Sequence, residues 1–205
     1  MMLKKVTAFV VRTLPTGKEL LVLRHPFAGF QLPAGTVNLN ESPDNAVVRE
    51  VAEETGLKNV PIQAELGYRD TLMPPDRAVL IHPTRVFSRP DPASFDWIDV
   101  SHGLWLDVLR KQDGYTQVRY REPDNLPDVS YYTYEFTGWV PDEFLSQTQR
   151  RYFYLLSFSG QTPVSWKVNS DWHTFTLSWA PLDDLPEFIS PQDSWLEVLH
   201  NHLGK

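Results

Sequence analysis

Residues 35–57 read GTVNLNESPDNAVVREVAEETGL, and no other stretch constrains the chain as tightly. The segment spells a loop entering a helix. Ser42 suits an N-cap, Pro43 the first helical position, and Asp44 the positive end of the helix dipole. Gly56 suits the left-handed residue that ends a helix. The spacing therefore predicts a helix over 43–55. Glu50, Glu53 and Glu54 stand at i, i+3 and i+4 and share one face. The opposite arc carries Val48, Val51, Ala52 and Thr55, which can pack on a sheet.

Three carboxylates this close repel one another, and the clustering is costly unless a cation sits among them. All-oxygen ligands suit a hard cation, Mg²⁺ or Mn²⁺, rather than zinc. The chain has no cysteine for a soft site. Arg49 lies four residues before Glu53, close enough to orient it through a charge-assisted hydrogen bond. An isolated E-x-x-E-E reads best as a solvated helix face. Here Gly35, Glu41, Arg49 and Gly56 stand at fixed offsets as well. Average residue frequencies put a chance match to all nine constrained positions on the order of one in ten million.

Those positions resemble the Nudix box, G-x5-E-x7-R-E-U-x-E-E-x-G-U with U aliphatic, without a departure. The resemblance implies an α/β fold, the Nudix α/β/α sandwich with a mixed sheet. It implies hydrolysis of a diphosphate linked to another moiety, most often in a nucleoside diphosphate derivative, with Mg²⁺ or Mn²⁺. Carried over by motif position, Glu53 and Glu54 ligate metal, and Glu50 is a further ligand or helps activate water. Arg49 orients Glu53, Gly35 offers a backbone carbonyl to the metal, and Glu41 supports the loop-helix structure. Leu32-Pro33-Ala34-Gly35 resembles the loop before the box in family members, and Ala34 is familiar among ADP-ribose and other nucleotide-sugar hydrolases.

At 205 residues and 23.7 kDa the chain reads as one domain, residues 1–205, with a full core. A net charge of −7 argues against a broad nucleic-acid surface, which needs clustered Lys and Arg. The absence of cysteine suits a reducing cytoplasm, and no apolar run approaches membrane-spanning length. A hairpin is expected from 6–12, a turn at Pro15-Thr16-Gly17, and 19–24. Strands are expected at 62–68 and 79–87, the latter despite Pro83. An elaboration of about 60 residues, 88–148, then departs from the family pattern. It is expected to hold a short helix at 104–111, strand-like 115–121 and 131–140, and a polar loop at 122–128. A stretch of this length serves structure or function, and reads as a substrate lid or a homodimer contact. Strands at 150–158 and 174–179, and a helix at 192–203, are family-like again.

Outside the box the signals are weaker. Arg69, Arg77, Arg85 and Arg89 cluster in sequence and offer substrate-phosphate contacts. A distal base or ligand is sought among Asp171, His173, Glu135, Asp142 and Glu143, each more often an ordinary surface residue. Tyr131, Tyr132, Tyr134, Trp139, Trp166 and Trp172 offer stacking surfaces, although strand aromatics are more often core. The expectation is a divalent-metal-dependent pyrophosphohydrolase of a small-molecule diphosphate, with no nucleic-acid polymer or membrane as partner. ADP-ribose or a nucleotide sugar leads, and a nucleoside triphosphate follows. The alternatives are a non-catalytic ligand-binding or regulatory module and a hydrolase of a non-nucleotide diphosphate.

Overall fold

In the computed structural model, residues 1–123, 132–170 and 173–204 are described. The chain runs through β1 (Leu3–Leu14), β2 (Gly17–His25), β3 (Gly29–Gln31), β4 (Ala34–Thr36), helix α1 (Pro43–Thr55) and β5 (Ile62–Leu72). Next come β6 (Arg77–Leu80), β7 (Thr84–Phe87), β8 (Asp96–Val100), β9 (Trp105–Gln112), β10 (Tyr115–Pro123), β11 (Tyr132–Pro141) and β12 (Leu145–Ser146). Strands β13 (Thr148–Ser157), β14 (Ser165–Ser170) and β15 (His173–Pro181) precede helix α2 (Leu196–Leu203). Contacts divide the chain into two compact units. One comprises Lys4–Arg69 and Arg151–Lys205, the other Met1–Leu3 and Asp70–Arg150.

The first unit holds the box. Its sheet runs β14-β15-β2-β1-β13-β5, with β3 added on β2 and β4 on β1. Alternation along β1 decides the layers, because successive side chains leave a strand on opposite faces. Val6, Ala8 and Val10 pack with Ala46, Val47 and Val51 of α1. Phe9 and Val11 pack with Trp195 and Leu199, so α2 covers the other face. The result is the α/β arrangement expected, a mixed sheet with a helix on each side. The β1–β2 hairpin pairs Val11 with Leu20 and closes at Leu14 opposite Gly17.

The second unit is a sheet in the order β12-β6-β9-β10-β11-β7-β8. Leu80, Val86, Val100, Leu106, Val118, Phe136 and Val140 form its core. It takes in β6 and β7 as well as most of the 88–148 stretch. Two local expectations are corrected here. Where a helix is expected at 104–111, strand β9 runs over Trp105–Gln112, because this segment pairs on both sides, with β6 and β10. Ladder pairing outweighs the local helical preference of a short apolar segment. The expected strand at 79–87 is two strands, β6 and β7, interrupted at 81–83 where Pro83 lacks a ladder donor. Among the described residues no helix is long and apolar enough to cross a membrane.

Candidate active site

Helix α1 begins and ends where the local chemistry requires. Ser42 Oγ accepts from the Asn45 N–H at 3.2 Å, and Gly56, at φ 71°, donates its N–H to Ala52. The buried stripe is Ala46, Val47, Val51 and Thr55, joined by Glu54. Val48 is 41% exposed and Ala52 is also exposed, so the packing arc is rotated from the one expected. The three box glutamates therefore sit in graded environments. Glu54 borders the core at 8% exposure, the Glu50 side chain is 13% exposed, and that of Glu53 is 54% exposed.

Arg49 organises the site through all five of its N–H donors. Nε donates to Glu41 Oε1 at 2.9 Å, and Nη2 donates to Glu41 Oε2 at 2.9 Å and to the Thr36 carbonyl at 3.0 Å. Nη1 donates to Glu50 Oε1 at 2.8 Å and to Glu53 Oε2 at 3.0 Å. The Glu41 hydrogen bonds, with those of Glu50 and Glu53, hold the guanidinium pKa well above its ordinary value against the opposing effect of burial. The same Arg49 contact, helped by the Asn38 N–H, holds the Glu41 carboxyl below the usual range. Glu41 is thus a bidentate partner of Arg49, the structural part its motif position implies.

The loop that leads into the box is fixed at three further points. The Ala34 N–H donates to Glu54 Oε2 at 2.9 Å. The Leu32 N–H donates to Gln192 Oε1 at 2.6 Å. Strand β4 pairs with β1, Gly35 opposite Val6 and Thr36 opposite Lys5. At Gly35 the requirement is space. A Cβ there would lie 2.0 Å from Glu50 Cδ, whereas its backbone needs no left-handed conformation.

The donor set is all carboxylate and carbonyl oxygen, which suits a hard divalent cation. Among the described residues no three His, Asp or Glu groups stand close enough to hold a metal between them. The reason lies in the hub, where Glu50 and Glu53 both rest on Arg49 Nη1. Glu53 is the most exposed of the three box glutamates, at 54% of its side chain.

The remaining predicted residues scatter. Arg77 pairs with Asp107 at 3.0 Å, and Arg85 with Asp96 at 3.0 Å and Asp99 at 3.3 Å, all within the second unit. Arg69, in the box unit, reaches Ser194 Oγ at 3.3 Å and Glu197 at 3.9 Å. Asp142 accepts from the Thr116 hydroxyl, Glu143 follows it in a short 3₁₀ turn, and Glu135 is exposed opposite Arg121. His173 lies edge-on to His25, with ring centroids 4.5 Å apart. Trp166 Nε1 donates to the Thr55 carbonyl at 2.9 Å and braces the end of α1, while Trp139 is buried beneath Arg110. Tyr134 is half exposed. Tyr131, Asp171, Trp172, the Tyr132 side chain and most of the 122–128 loop lie outside the described residues.

Two cations escaped the sequence reading. Arg151 on β13 donates through Nη1 to the Val6 carbonyl and to Thr7 Oγ1, each at 3.0 Å, and its Cζ lies 4.1 Å from the Trp195 ring centroid. Lys5 on β1 sits beside the box loop, opposite Thr36. The signal was parity. Lys5 and Thr7 share the strand face of Phe9 and Val11, and Arg151 that of Phe153, where apolar residues point inward.

Residues 3–102 match the family model described as the NUDIX domain. Among solved structures, the NUDIX domain of Shewanella oneidensis NrtR complexed with ADP ribose is similar at 15% identity and TM-score 0.49, over 99% of this chain and 89% of that one. A C. elegans Ap4A hydrolase is similar at 12% identity and TM-score 0.46, over 99% of this chain and 99% of that one. No curated protein matches. The box at 35–57, with its Arg49-centred geometry, lies wholly inside the residues 3–102 that match the NUDIX domain model.

Proposed function

We propose that this protein is a divalent-metal-dependent Nudix pyrophosphohydrolase. The observation that carries the reading is the Arg49 hub, which aligns Glu50 and Glu53 beside a Glu54 that is itself held by the Ala34 N–H. A helix face built only for solvent has no need of such positioning. Glu50, Glu53, Glu54 and the Gly35 carbonyl would hold Mg²⁺ or Mn²⁺. The bound cation would supply neutralisation of the diphosphate and a more acidic water. Arg49 keeps Glu50 and Glu53 in place through its Nη1 hydrogen bonds.

The substrate is read as a small nucleoside diphosphate derivative, ADP-ribose or a nucleotide sugar ahead of a nucleoside triphosphate. The Leu32-Pro33-Ala34 approach to the box supports that order. We read residues 1–205 as one domain elaborated by the second sheet, in keeping with a family match at 3–102 that enters both units. The reading places it in the cytoplasm, acting on no nucleic-acid polymer. A second reading, a non-catalytic ligand-binding regulator, is favoured by the seven-stranded second sheet, for which the box chemistry has no use. The deciding experiment is phosphate or nucleotide release from ADP-ribose, nucleotide sugars, dinucleoside polyphosphates and nucleoside triphosphates, with Mg²⁺, Mn²⁺ or chelator. Metal-dependent turnover of one group supports hydrolysis and names the substrate class. Silence from a folded, metal-binding protein overturns it in favour of the regulator.

A further inference from the structure

Lys5 and Arg151 form an arrangement that the box does not explain. Both are partly buried, and the Arg151 charge disfavours that of Lys5. Burial first, then the charge of Arg151, pulls the Lys5 ammonium down to about 8, with Glu50 acting in the opposite sense. Burial alone pulls Arg151 down to about 10. Neither side chain forms an ion pair among the described residues, and Lys5 makes no hydrogen bond there. Arg151 meets only neutral groups, namely the Val6 carbonyl, the Thr7 hydroxyl and the Trp195 ring. Glu50 is the carboxylate that favours the Lys5 charge, and it makes no ion pair with it.

Their placement gives the arrangement a purpose. The β1–β4 ladder sets Lys5 opposite Thr36, the residue whose carbonyl Arg49 holds, and one position from the Val6–Gly35 pair. Arg151 reaches the same strand segment from β13 through Val6 and Thr7. Its guanidinium is fixed by two hydrogen bonds and the indole face, so little side-chain entropy remains to be lost on binding. We propose that Lys5 and Arg151 form a diphosphate clamp beside the box, with Lys5 as a point charge and Arg151 as a preset fork. The identity of that diphosphate as the substrate's rests on the hydrolase reading. The anion site itself does not.

The test is calorimetric titration with inorganic pyrophosphate, in chelator, of the full chain and of Lys5→Met, Lys5→Arg and Arg151→Met. Wild type is expected to bind, and each Met variant to bind at least about tenfold more weakly, the effect of one charge-assisted contact. Lys5→Arg should recover most of the affinity, which a merely structural lysine would not do. Arg151→Met strands two acceptors, and if it fails to fold, Lys5→Met carries the test, having no hydrogen bond to lose. Wild-type affinity in Lys5→Met, or no binding by wild type, overturns the clamp. Against a turned-over substrate, Lys5→Met should raise KM about tenfold with kcat little changed. Turnover with unchanged KM sinks the clamp and leaves the hydrolase reading standing. Pyrophosphate binding that falls in Lys5→Met, without turnover of any compound, sustains the clamp and sinks the hydrolase.

Discussion

Gly35→Ala tests whether the box glycine is required by space. The new Cβ would lie 2.0 Å from Glu50 Cδ and Oε1 and 2.4 Å from Oε2. Ordinary carbon–carbon contact begins at about 3.5 Å, so the carboxylate must retreat by ~1.5 Å. Helix α1 is held by its Ser42 cap and by the Ala34–Glu54 bond, so the Glu50 side chain moves and its 2.8 Å bond to Arg49 breaks. Loss of one charge-assisted bond, with the overpacking, amounts to about 1–3 kcal/mol, or roughly 2–10 °C in Tm. A displacement of this size at a reacting centre lowers kcat on the order of 100-fold. The assay pairs thermal melts with metal-dependent phosphate release, and adds Glu50→Ala to complete a double-mutant cycle. With Glu50 truncated, Gly35→Ala should lose most of its effect on Tm, a coupling of about 1 kcal/mol or more. Additive effects, or a Gly35→Ala protein with wild-type Tm and kcat, would refute the reasoning.

Glu54→Gln should lower kcat by about 100-fold or more while leaving Tm nearly unchanged, because the amide oxygen still accepts from Ala34; near-wild-type turnover with Mg²⁺ removes Glu54 from the machinery. Arg49→Lys replaces a planar five-donor fork with three donors that cannot serve Glu41, Thr36, Glu50 and Glu53 together. It should cost about 2 kcal/mol or more in urea unfolding and lower turnover as well, and an unchanged midpoint would show that the hub is dispensable. Burial works to raise the Asp107 carboxyl, yet Arg119, Arg77 and Arg121 outweigh it and hold it below its ordinary 3.8. Its stabilising contribution is therefore present above about pH 4 and lost as pH falls through the lower folded value. Urea midpoints of wild type and Asp107→Asn, measured from pH 6 down to pH 2, should converge at the acid end; a constant gap would contradict that linkage.

Spacing and end chemistry were legible because they are local. The offsets of Gly35, Glu41, Arg49, Glu50, Glu53, Glu54 and Gly56, with the Ser42 cap, gave the α1 boundaries and the shared acidic face before any contact was known. They also carry the resemblance to the Nudix box, and with it the expected α/β sandwich. Which residues those side chains meet was decided elsewhere, since contacts between distant segments leave no periodic trace. Docking α1 on the sheet turned Val48 and Ala52 to solvent and Glu54 toward the core. Pairing on both edges made β9 a strand despite its helical pattern. Folding the loop back onto the helix gave Arg49 its strongest partner, Glu41, and set Gly35 against Glu50. The Lys5–Arg151 pair depends most on tertiary structure, because Arg151 meets Val6 across 145 positions of sequence. Each looks like one more charge on a strand until the sheet places β1 beside β13 and partly buries both.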